Sequence, residues 1–318
     1  MNRTIPCIFL LLSICASAYA QAIYAWDDDS LICVGLATSI GYFGIELDDG
    51  TYITYGGASG GGGGTGHTNF FVDADIYSTD LFLPVYHPEV ALIYPLPSEY
   101  SPSENAIFTD WNPADSIWLT QILHPYSHDD AGAVRIAYNI ANNDCISHCI
   151  GVLSLIDFEI GETVFYLPEE GIIIDNTLVM SGDEIPSCLE IYQYSPYDST
   201  HEDQVKATLF LDGIDDVKPD WLALGNQRSF TEIAWGLEDI SIEEISDGAV
   251  IIVWDSIALA AGAETLLAVT LGTMEFANIS QNPEKPQDIS IFAFPNPFNS
   301  SCVIIAPARA KIKIYNLM

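Results

Sequence analysis

The feature that most constrains the fold of this chain is an alternation of apolar and polar residues in short segments. The clearest example is residues 134–141, Val-Arg-Ile-Ala-Tyr-Asn-Ile-Ala, in which every second side chain is large and apolar. Because successive side chains of a strand point to opposite faces, this pattern predicts a half-buried β-strand. No segment keeps a helical period over about 12 residues. The best helix candidate, residues 237–245, is short and is equally compatible with a loop.

Turn residues separate these segments at short intervals. Asp48-Asp49-Gly50 lies between two β-rich runs, and an Asp-Gly pair in that position predicts a hairpin, since the turn requires positive φ. Further strands are predicted at residues 150–156, 172–174, 249–254 and 265–271. Many short strands without helices indicate an all-β protein, and we expect a large antiparallel β-sandwich.

The charge balance excludes one class of function. The chain carries 9 Lys and Arg against 44 Asp and Glu, a formal net charge of −35, and no Lys or Arg lies between Arg3 and Arg135. Nucleic-acid binding relies on clustered cations that neutralise phosphates, so no nucleic-acid partner is expected. An anionic membrane surface is disfavoured for the same reason.

The first twenty residues have the anatomy of a secretory signal peptide. Arg3 supplies the positive charge, residues 5–15 form an apolar run, and Ala18-Tyr19-Ala20 precedes an expected cleavage before Gln21. The apolar run is shorter than the about 20 residues of a membrane-spanning helix. No later stretch is long and apolar enough either, so we expect no transmembrane helix and a secreted or cell-surface protein.

Cysteine usage fits export. Of seven cysteines two lie in the signal peptide, and 7 − 2 leaves five, namely Cys33, Cys145, Cys149, Cys188 and Cys302. Cys145 and Cys149 flank Ile-Ser-His in a predicted loop, and we predict a local disulfide between them in an oxidising compartment. The alternative is a zinc site with His148, which lacks the second pair of ligands that structural zinc sites have.

Two kinds of ligand are suggested by residue type, and no catalytic motif is found. Calcium is the only metal predicted, because Asp212, Asp215 and Asp216 place several carboxylates in a loop-like segment. Similar acidic groups occur at residues 27–29 and at Asp73, Asp75 and Asp80. Each of these groups is also typical of a solvated acidic turn.

Sugar stacking is the second prediction. Four tryptophans lie in polar or loop-like contexts and are candidates for stacking on a sugar, and they are Trp111, Trp118, Trp221 and Trp235. The alternative for each is core packing. A glycosidase needs two suitably spaced carboxylates. Among 44 acids some pair always looks suitable, so this feature identifies no catalytic residue.

The composition of the chain changes near its C-terminal end. Residues 278–288 are polar, contain Pro283 and Pro286, and predict a linker. The motif Pro295, Asn296, Pro297, Phe298 and Asn299 follows, and a β-rich run lies at residues 311–317.

This C-terminal segment resembles the sorting domain of substrates of the bacterial type IX secretion system, and also the related immunoglobulin-like domains of flagellar hook-capping proteins. The resemblance implies a small Ig-like β-sandwich, secretion machinery as a partner, and delivery to the cell surface. A Gly-containing hairpin normally follows in that family, whereas this sequence stops at Met318. We therefore expect that residues 289–318 are the truncated start of that domain.

Residues 21–277 resemble uncharacterised modules of exported bacterial proteins, some of which are similar to the galactose-mutarotase-like super-sandwich. The resemblance lies in the strand–turn–strand order of residues 134–161, and in Pro219-Asp220-Trp221 and residues 254–262 that follow at intervals. It implies an extracellular glycan as a partner. The expected organisation is a signal peptide (1–20), a β-sandwich domain (21–277), a linker (278–288) and the start of the sorting domain (289–318).

The function expected from these features is a non-enzymatic, surface-delivered β-sandwich used for binding or structure. Two alternatives stay open. One is a carbohydrate-active enzyme or a carbohydrate-binding accessory module, and the other is a calcium-stabilised, adhesin-like module.

Overall fold

The structure is a computed structural model. It describes residues 22–38, 41–55, 66–80, 83–128, 131–158, 162–194, 205–212, 217–237 and 240–273. The chain divides into two compact units, Met1–Met274 and Glu275–Met318. The predicted signal peptide, linker and sorting motif all lie outside the described residues.

Short strands make up most of the described chain. The strands are β1 (Ala22–Trp26), β2 (Ile32–Ala37), β3 (Tyr42–Leu47), β4 (His67–Val72), β5 (Asp75–Ser78), β6 (Ala91–Leu92), β7 (Glu99–Ser101), β8 (Ala106–Ala114), β9 (Ile117–His128), β10 (Ala131–Asn142), β11 (His148–Asp157), β12 (Glu162–Leu167), β13 (Ile172–Ile174), β14 (Leu178–Ser181), β15 (Cys188–Tyr194), β16 (Val205–Phe210), β17 (Trp221–Asn226), β18 (Gly248–Leu259) and β19 (Glu264–Gly272). The helical pieces are α1 (Leu83–Tyr86), α2 (Gln227–Phe230) and a 3₁₀ turn at Gly182–Glu184.

The strands form three sheets. A nine-stranded sheet has the order β13-β12-β15-β16-β19-β10-β9-β8-β7, a seven-stranded sheet has the order β14-β17-β18-β11-β4-β5-β6, and a small sheet has the order β1-β2-β3. Neighbouring strands are antiparallel except β5 and β6, which are parallel. The predicted antiparallel all-β class is therefore confirmed, and the strands predicted at residues 134–141, 150–156, 172–174, 249–254 and 265–271 are all present.

Two local predictions have different outcomes. The hairpin turn at Gly50 has the expected positive φ of 84°. The run after it is not a full strand, because Tyr52 and Thr54 form only isolated bridges to Glu46 and Phe158. Residues 240–245 are described and form no helix, as the loop alternative predicted.

The nine-stranded and seven-stranded sheets pack face to face. Val134 and Ile136 of β10 belong to one apolar core together with Val152 of β11 and Ile252 of β18. Residues at alternate positions of β10 therefore interdigitate with the opposite sheet, as in a sandwich.

A buried hydroxyl joins the two sheets at the centre of this core. The hydroxyl oxygen of Tyr138 lies 3.0 Å from Thr68 Oγ1 of β4 and 2.9 Å from Ser154 Oγ of β11, and Gln121 Nε2 of β9 lies 3.5 Å away. The ring of Tyr138 meets Trp254 of β18 edge-on, with centroids 6.2 Å apart. Since a buried hydroxyl without partners is costly, this network selects one alignment of the two sheets.

The small sheet extends the same core. Ile32, Val34 and Ile45 are fully buried within it, and Phe43 of β3 forms an isolated bridge with Gly66, next to the start of β4. Gly132 of β10 permits close approach, because a Cβ atom there would lie 2.7 Å from the Cβ of Ile32.

The other face of the seven-stranded sheet is covered by residues 227–237 and by Ile240. The ring of Trp235 stacks on Phe71 at 5.5 Å, and Asn69 donates hydrogen bonds to the backbone carbonyls of Ile233 and Ala234 at 3.2 and 3.0 Å. The seven-stranded sheet is therefore buried on both faces. Within the part of the chain described, no helix is long and apolar enough to cross a membrane.

We expect the substitution Tyr138→Phe to lower the free energy of unfolding by about 1–3 kcal/mol, because it leaves buried partners of the hydroxyl unsatisfied. The measurement is urea unfolding, and Tyr94→Phe is the matched control, since Tyr94 is 61% exposed. Equal effects of the two substitutions would contradict the role assigned to the Tyr138 hydroxyl.

Candidate functional site

The outer face of the nine-stranded sheet carries a row of large side chains on β9. Along this strand the odd-numbered residues from 117 to 125 are buried, whereas the even-numbered ones are partly or largely exposed. The outward residues are Trp118, Thr120, Ile122, His124 and Tyr126. This is the consequence of the two-residue period when one face of a strand lies in the core.

The neighbouring strand β10 presents small residues beside this row. Ala133 pairs with Tyr126, Ala137 with Ile122, and Ala141 with Trp118. On its other side, Ala133 and Ala137 pair with Gly272 and Ala268 of β19. The large side chains of β9 thus form a wall beside small residues of β10 and β19, of which Ala133 and Ala137 are buried, at 0% and 3% exposed. We call this part of the outer face of β9, β10 and β19 the outer-face trough.

Polar side chains of β10 alternate with these alanines on the same face. Arg135 pairs with His124, and Asn139 pairs with Thr120. The Thr120 hydroxyl donates a hydrogen bond of 2.6 Å to Asp110 Oδ1 of β8. The trough therefore combines aromatic faces with hydrogen-bonding groups of both kinds, which is the composition of sites for small polar ligands.

His124 is held neutral at this site. Burial lowers its pKa most, and the nearby Arg135 lowers the pKa further, whereas Asp28 and Glu104 oppose this shift. The ring lies 5.9 Å from that of Tyr126. A neutral imidazole offers one donor and one acceptor, so His124 is suited to hydrogen-bond a hydroxyl group.

The four tryptophans predicted to stack on sugars have different environments. Trp118 is 38% exposed and lies on the wall of the trough, and Trp221 is 40% exposed but begins β17 of the other sheet. Their stacking role stays a prediction. Trp111 is wrong as a platform, because it is fully buried and packs against Phe70 at 5.5 Å. Trp235 has its ring engaged by Phe71.

His124 and Arg135 were not predicted to lie beside Trp118 on the same face of a sheet. The sequence pattern could have indicated His124, since residues 118 and 124 are an even number of positions apart and share a face if they lie on one strand. Arg135 becomes a neighbour only through the pairing of β10 with β9. Trp26 was also missed, and it is 41% exposed on β1.

The acidic groups do not gather as a calcium site in the described chain. Asp212 is exposed, whereas Asp215 and Asp216 lie outside the described residues, so calcium binding there stays a prediction. Asp73 and Asp80 have separate partners, His148 and Tyr42. Among the described residues, no group of three or more His, Cys, Asp and Glu side chains is placed to hold a metal ion.

A second polar cluster clamps His148 between two carboxylates. His148 Nδ1 lies 2.8 Å from Asp73 Oδ2 in the β4–β5 turn, and Nε2 lies 3.1 Å from Asp144 Oδ2 in the β10–β11 loop. These hydrogen bonds to Asp73 and Asp144 raise the pKa of His148. The pKa values of both carboxyl groups are lowered, chiefly by the backbone N–H groups of Cys149 and Cys145. The clamp fastens the β10–β11 loop to the neighbouring turn.

The cysteines beside this clamp are not bridged in the structure. Cys145 is exposed and Cys149 is partly buried, and both carry free thiols, as does the buried Cys33. Cys188 is buried as well. Burial, with Glu46 and Asp27 nearby, raises the pKa of Cys33 to about 12, which makes this thiol unreactive. The Cys145–Cys149 disulfide stays a prediction.

Comparisons with known proteins add two distant structural neighbours. No protein-family model matches the chain, and no curated protein matches it. A galactose mutarotase related enzyme from Lactobacillus acidophilus is 7% identical, with 78% of this chain and 96% of that chain covered and a TM-score of 0.46. A protein from Synechocystis sp. PCC 6803 is 10% identical, with 79% and 95% covered and a TM-score of 0.45. At TM-scores this low, neither similarity assigns a function to this chain.

The His148 clamp predicts a pH-dependent contribution to stability. Because the pKa of His148 is raised on folding, the contribution is fully present below the ordinary value of 6.5 and is lost as the pH rises through the folded-state pKa. Because the pKa values of Asp73 and Asp144 are lowered, both carboxylates stay ionised as the pH falls. The contribution of the clamp to stability is therefore lost on the acidic side only when the pH falls through those lowered values.

We therefore expect His148→Gln to destabilise the protein more at mildly acidic pH than at alkaline pH, as measured by unfolding free energy across a pH series. His124→Gln is the control, since the pKa of His124 is lowered and the sign of its pH dependence is opposite. A destabilisation by His148→Gln that does not change with pH would contradict the clamp.

Proposed function

We propose that this protein is an exported β-sandwich module that binds neutral glycans in the outer-face trough without acting on them chemically. The observation that carries the proposal is the position of Trp118 on the wall of the trough, where it is 38% exposed and faces Ala141. Aromatic rings with one apolar face and nearby polar groups suit sugars, which have apolar ring faces and hydroxyl rims.

The hydroxyl groups of a sugar have partners along the trough. Neutral His124 and Asn139 supply donors and acceptors, and Arg135 supplies donors alone. His124 lies directly opposite Arg135, and Asn139 is four residues from Arg135 on β10, which is about 13 Å along the strand. This spacing fits a ligand that extends along the strands.

The charge of the chain favours a neutral glycan over an acidic one. The formal net charge of −35 repels polyanions at long range. Asp28 and Glu104 act on His124 from near the trough and oppose the single positive charge of Arg135. An acidic polysaccharide would meet this repulsion, whereas a neutral oligosaccharide would not.

The hydrogen bonds of the carboxylates on this face suit ligand binding. Asp110 accepts a hydrogen bond from Thr120, and Glu190 accepts one of 2.7 Å from the Tyr192 hydroxyl. A carboxylate that is held by a neighbouring hydroxyl group suits the orientation of ligand hydroxyls through its remaining acceptor positions.

Trp118→Ala should weaken binding of a neutral oligosaccharide at least about tenfold, because it removes the aromatic face. Isothermal titration calorimetry against neutral hexose oligosaccharides, selected on a glycan array, measures the change. Trp221→Ala is the matched control, since Trp221 is equally exposed at 40% but lies on the other sheet.

Three results of this experiment would overturn the proposal. They are the absence of any bound neutral glycan, equal losses for the two tryptophan variants, and release of shortened sugars during incubation. The last result would favour the alternative of a carbohydrate-active enzyme.

Export rests on the signal-peptide anatomy of residues 1–20 and on the sorting-domain resemblance of residues 295–299. We expect protein recovered outside the cytoplasm of its native host to begin at Gln21. N-terminal sequencing of the native protein, after cell fractionation, measures this. Cytosolic protein that still begins at Met1 would overturn export and leave the binding experiment unaffected.

A further inference from the structure

Three polar side chains converge on the outer face of the seven-stranded sheet, on the opposite side of the sandwich from the trough. His67 begins β4, and the antiparallel register of Asn69 with Ser78 continues to place Asp80 opposite His67. The bridge between Phe43 and Gly66 likewise places Tyr42 beside His67.

The distances agree with this register. The Tyr42 and His67 ring centroids are 6.2 Å apart, and the Tyr42 hydroxyl oxygen lies 3.1 Å from Asp80 Oδ1. The three residues therefore bring an imidazole, a carboxylate and a phenol together at one place.

His67 is buried there without a hydrogen bond to its Nε2 atom. The residue is 4% exposed, and no partner reaches Nε2 within the part of the chain that the structure describes. A buried polar atom left in this state is unfavourable, and such an atom in a folded protein calls for a missing partner, such as an ordered water molecule or an ion.

The environment of His67 favours the neutral form of its imidazole. Burial lowers the pKa of His67, and the charge of Asp80 opposes the shift. A neutral imidazole has a free lone pair, which is the form that binds metal ions. The nearby carboxylate supplies negative charge.

We propose that His67, Asp80 and Tyr42 form a binding site for a divalent transition-metal ion. The ligands are an imidazole nitrogen, a carboxylate oxygen and the phenol oxygen, and a fourth position is left for water. Two oxygens bound to one ion at about 2.0–2.2 Å lie about 3.3–3.6 Å apart in a tetrahedral site, so the 3.1 Å between the Tyr42 hydroxyl oxygen and Asp80 Oδ1 would need to widen only slightly. Binding displaces the phenol proton to solvent.

The ligand types distinguish this site from a calcium site. Calcium takes six to eight oxygen ligands, whereas imidazole nitrogen favours zinc, copper, nickel and iron. The site holds only two of the His, Cys, Asp and Glu side chains that are common ligands, and the tyrosine completes the set of three.

The backbone around Asp80 is held in place by a chain of hydrogen bonds. The Asp80 N–H donates to Ser78 Oγ at 3.0 Å, and Ser78 Oγ donates to Asn69 Oδ1 at 2.6 Å. Asn69 is fixed in turn by the carbonyls of Ile233 and Ala234. Such outer contacts orient metal ligands.

The test is metal binding by the full chain after removal of metal with a chelator. We expect one Zn²⁺ per chain by calorimetry, a rise in melting temperature on adding Zn²⁺, and a visible absorption band when Co²⁺ is used instead. His67→Gln and Asp80→Asn should abolish the Co²⁺ band, and Tyr42→Phe should weaken Zn²⁺ binding at least about tenfold.

His148→Gln is the control, because His148 also contacts carboxylates but lies in the separate clamp with Asp73 and Asp144. This variant should bind Zn²⁺ like the unmodified protein. If His67→Gln fails to fold, Asp80→Asn and Tyr42→Phe still decide the result. No Zn²⁺ or Co²⁺ binding by the unmodified chain, or unchanged binding in the folded site variants, would overturn the proposal. Neither result bears on the glycan trough.

Discussion

The Tyr138 hydroxyl is the constraint on which the arrangement of the two large sheets depends. It lies in an otherwise apolar core, where an unsatisfied polar group is expensive. Its partners Thr68 and Ser154 belong to the opposite sheet. A slip of β4, β10 or β11 by one residue in its pairing register would turn its side chain in this network to the other face of the sheet. Apolar packing alone tolerates several alignments, whereas this network accepts one.

Because of this alignment, the two sheet faces that point away from the shared core have different environments. On the nine-stranded sheet, the core side of β9 and β10 takes the large apolar residues, so Trp118, His124 and Arg135 are left on the outer side. On the seven-stranded sheet, residues 227–237 cover the outer side, and Asn69 and His67 become buried polar groups there. One face therefore offers a surface trough and the other an enclosed polar cluster.

The histidines show how these environments set chemical state. His148 lies near the surface between two carboxylates, which raise its pKa. His67 and His124 are more enclosed, and burial lowers the pKa of each. The charged form is stabilised in the clamp, whereas the neutral form is stabilised at the two proposed binding sites. A chain with a net charge of −35 thus still maintains neutral imidazoles where ligands would need them.

Local sequence determined the all-β class, the strands predicted at residues 134–141, 150–156, 172–174, 249–254 and 265–271, and the positive-φ turn at Gly50, because strand period and turn chemistry depend on neighbouring residues. Strand β9 was not predicted, so only the structure showed that Trp118 and His124 share one face. Only the tertiary structure decided that Trp111 is buried while Trp118 is exposed, since both have similar local context. The same holds for His148 with Asp73 and for His67 with Asp80 and Tyr42. These contacts join different strands, and their formation depends on sheet order and register, which the sequence of one strand does not contain.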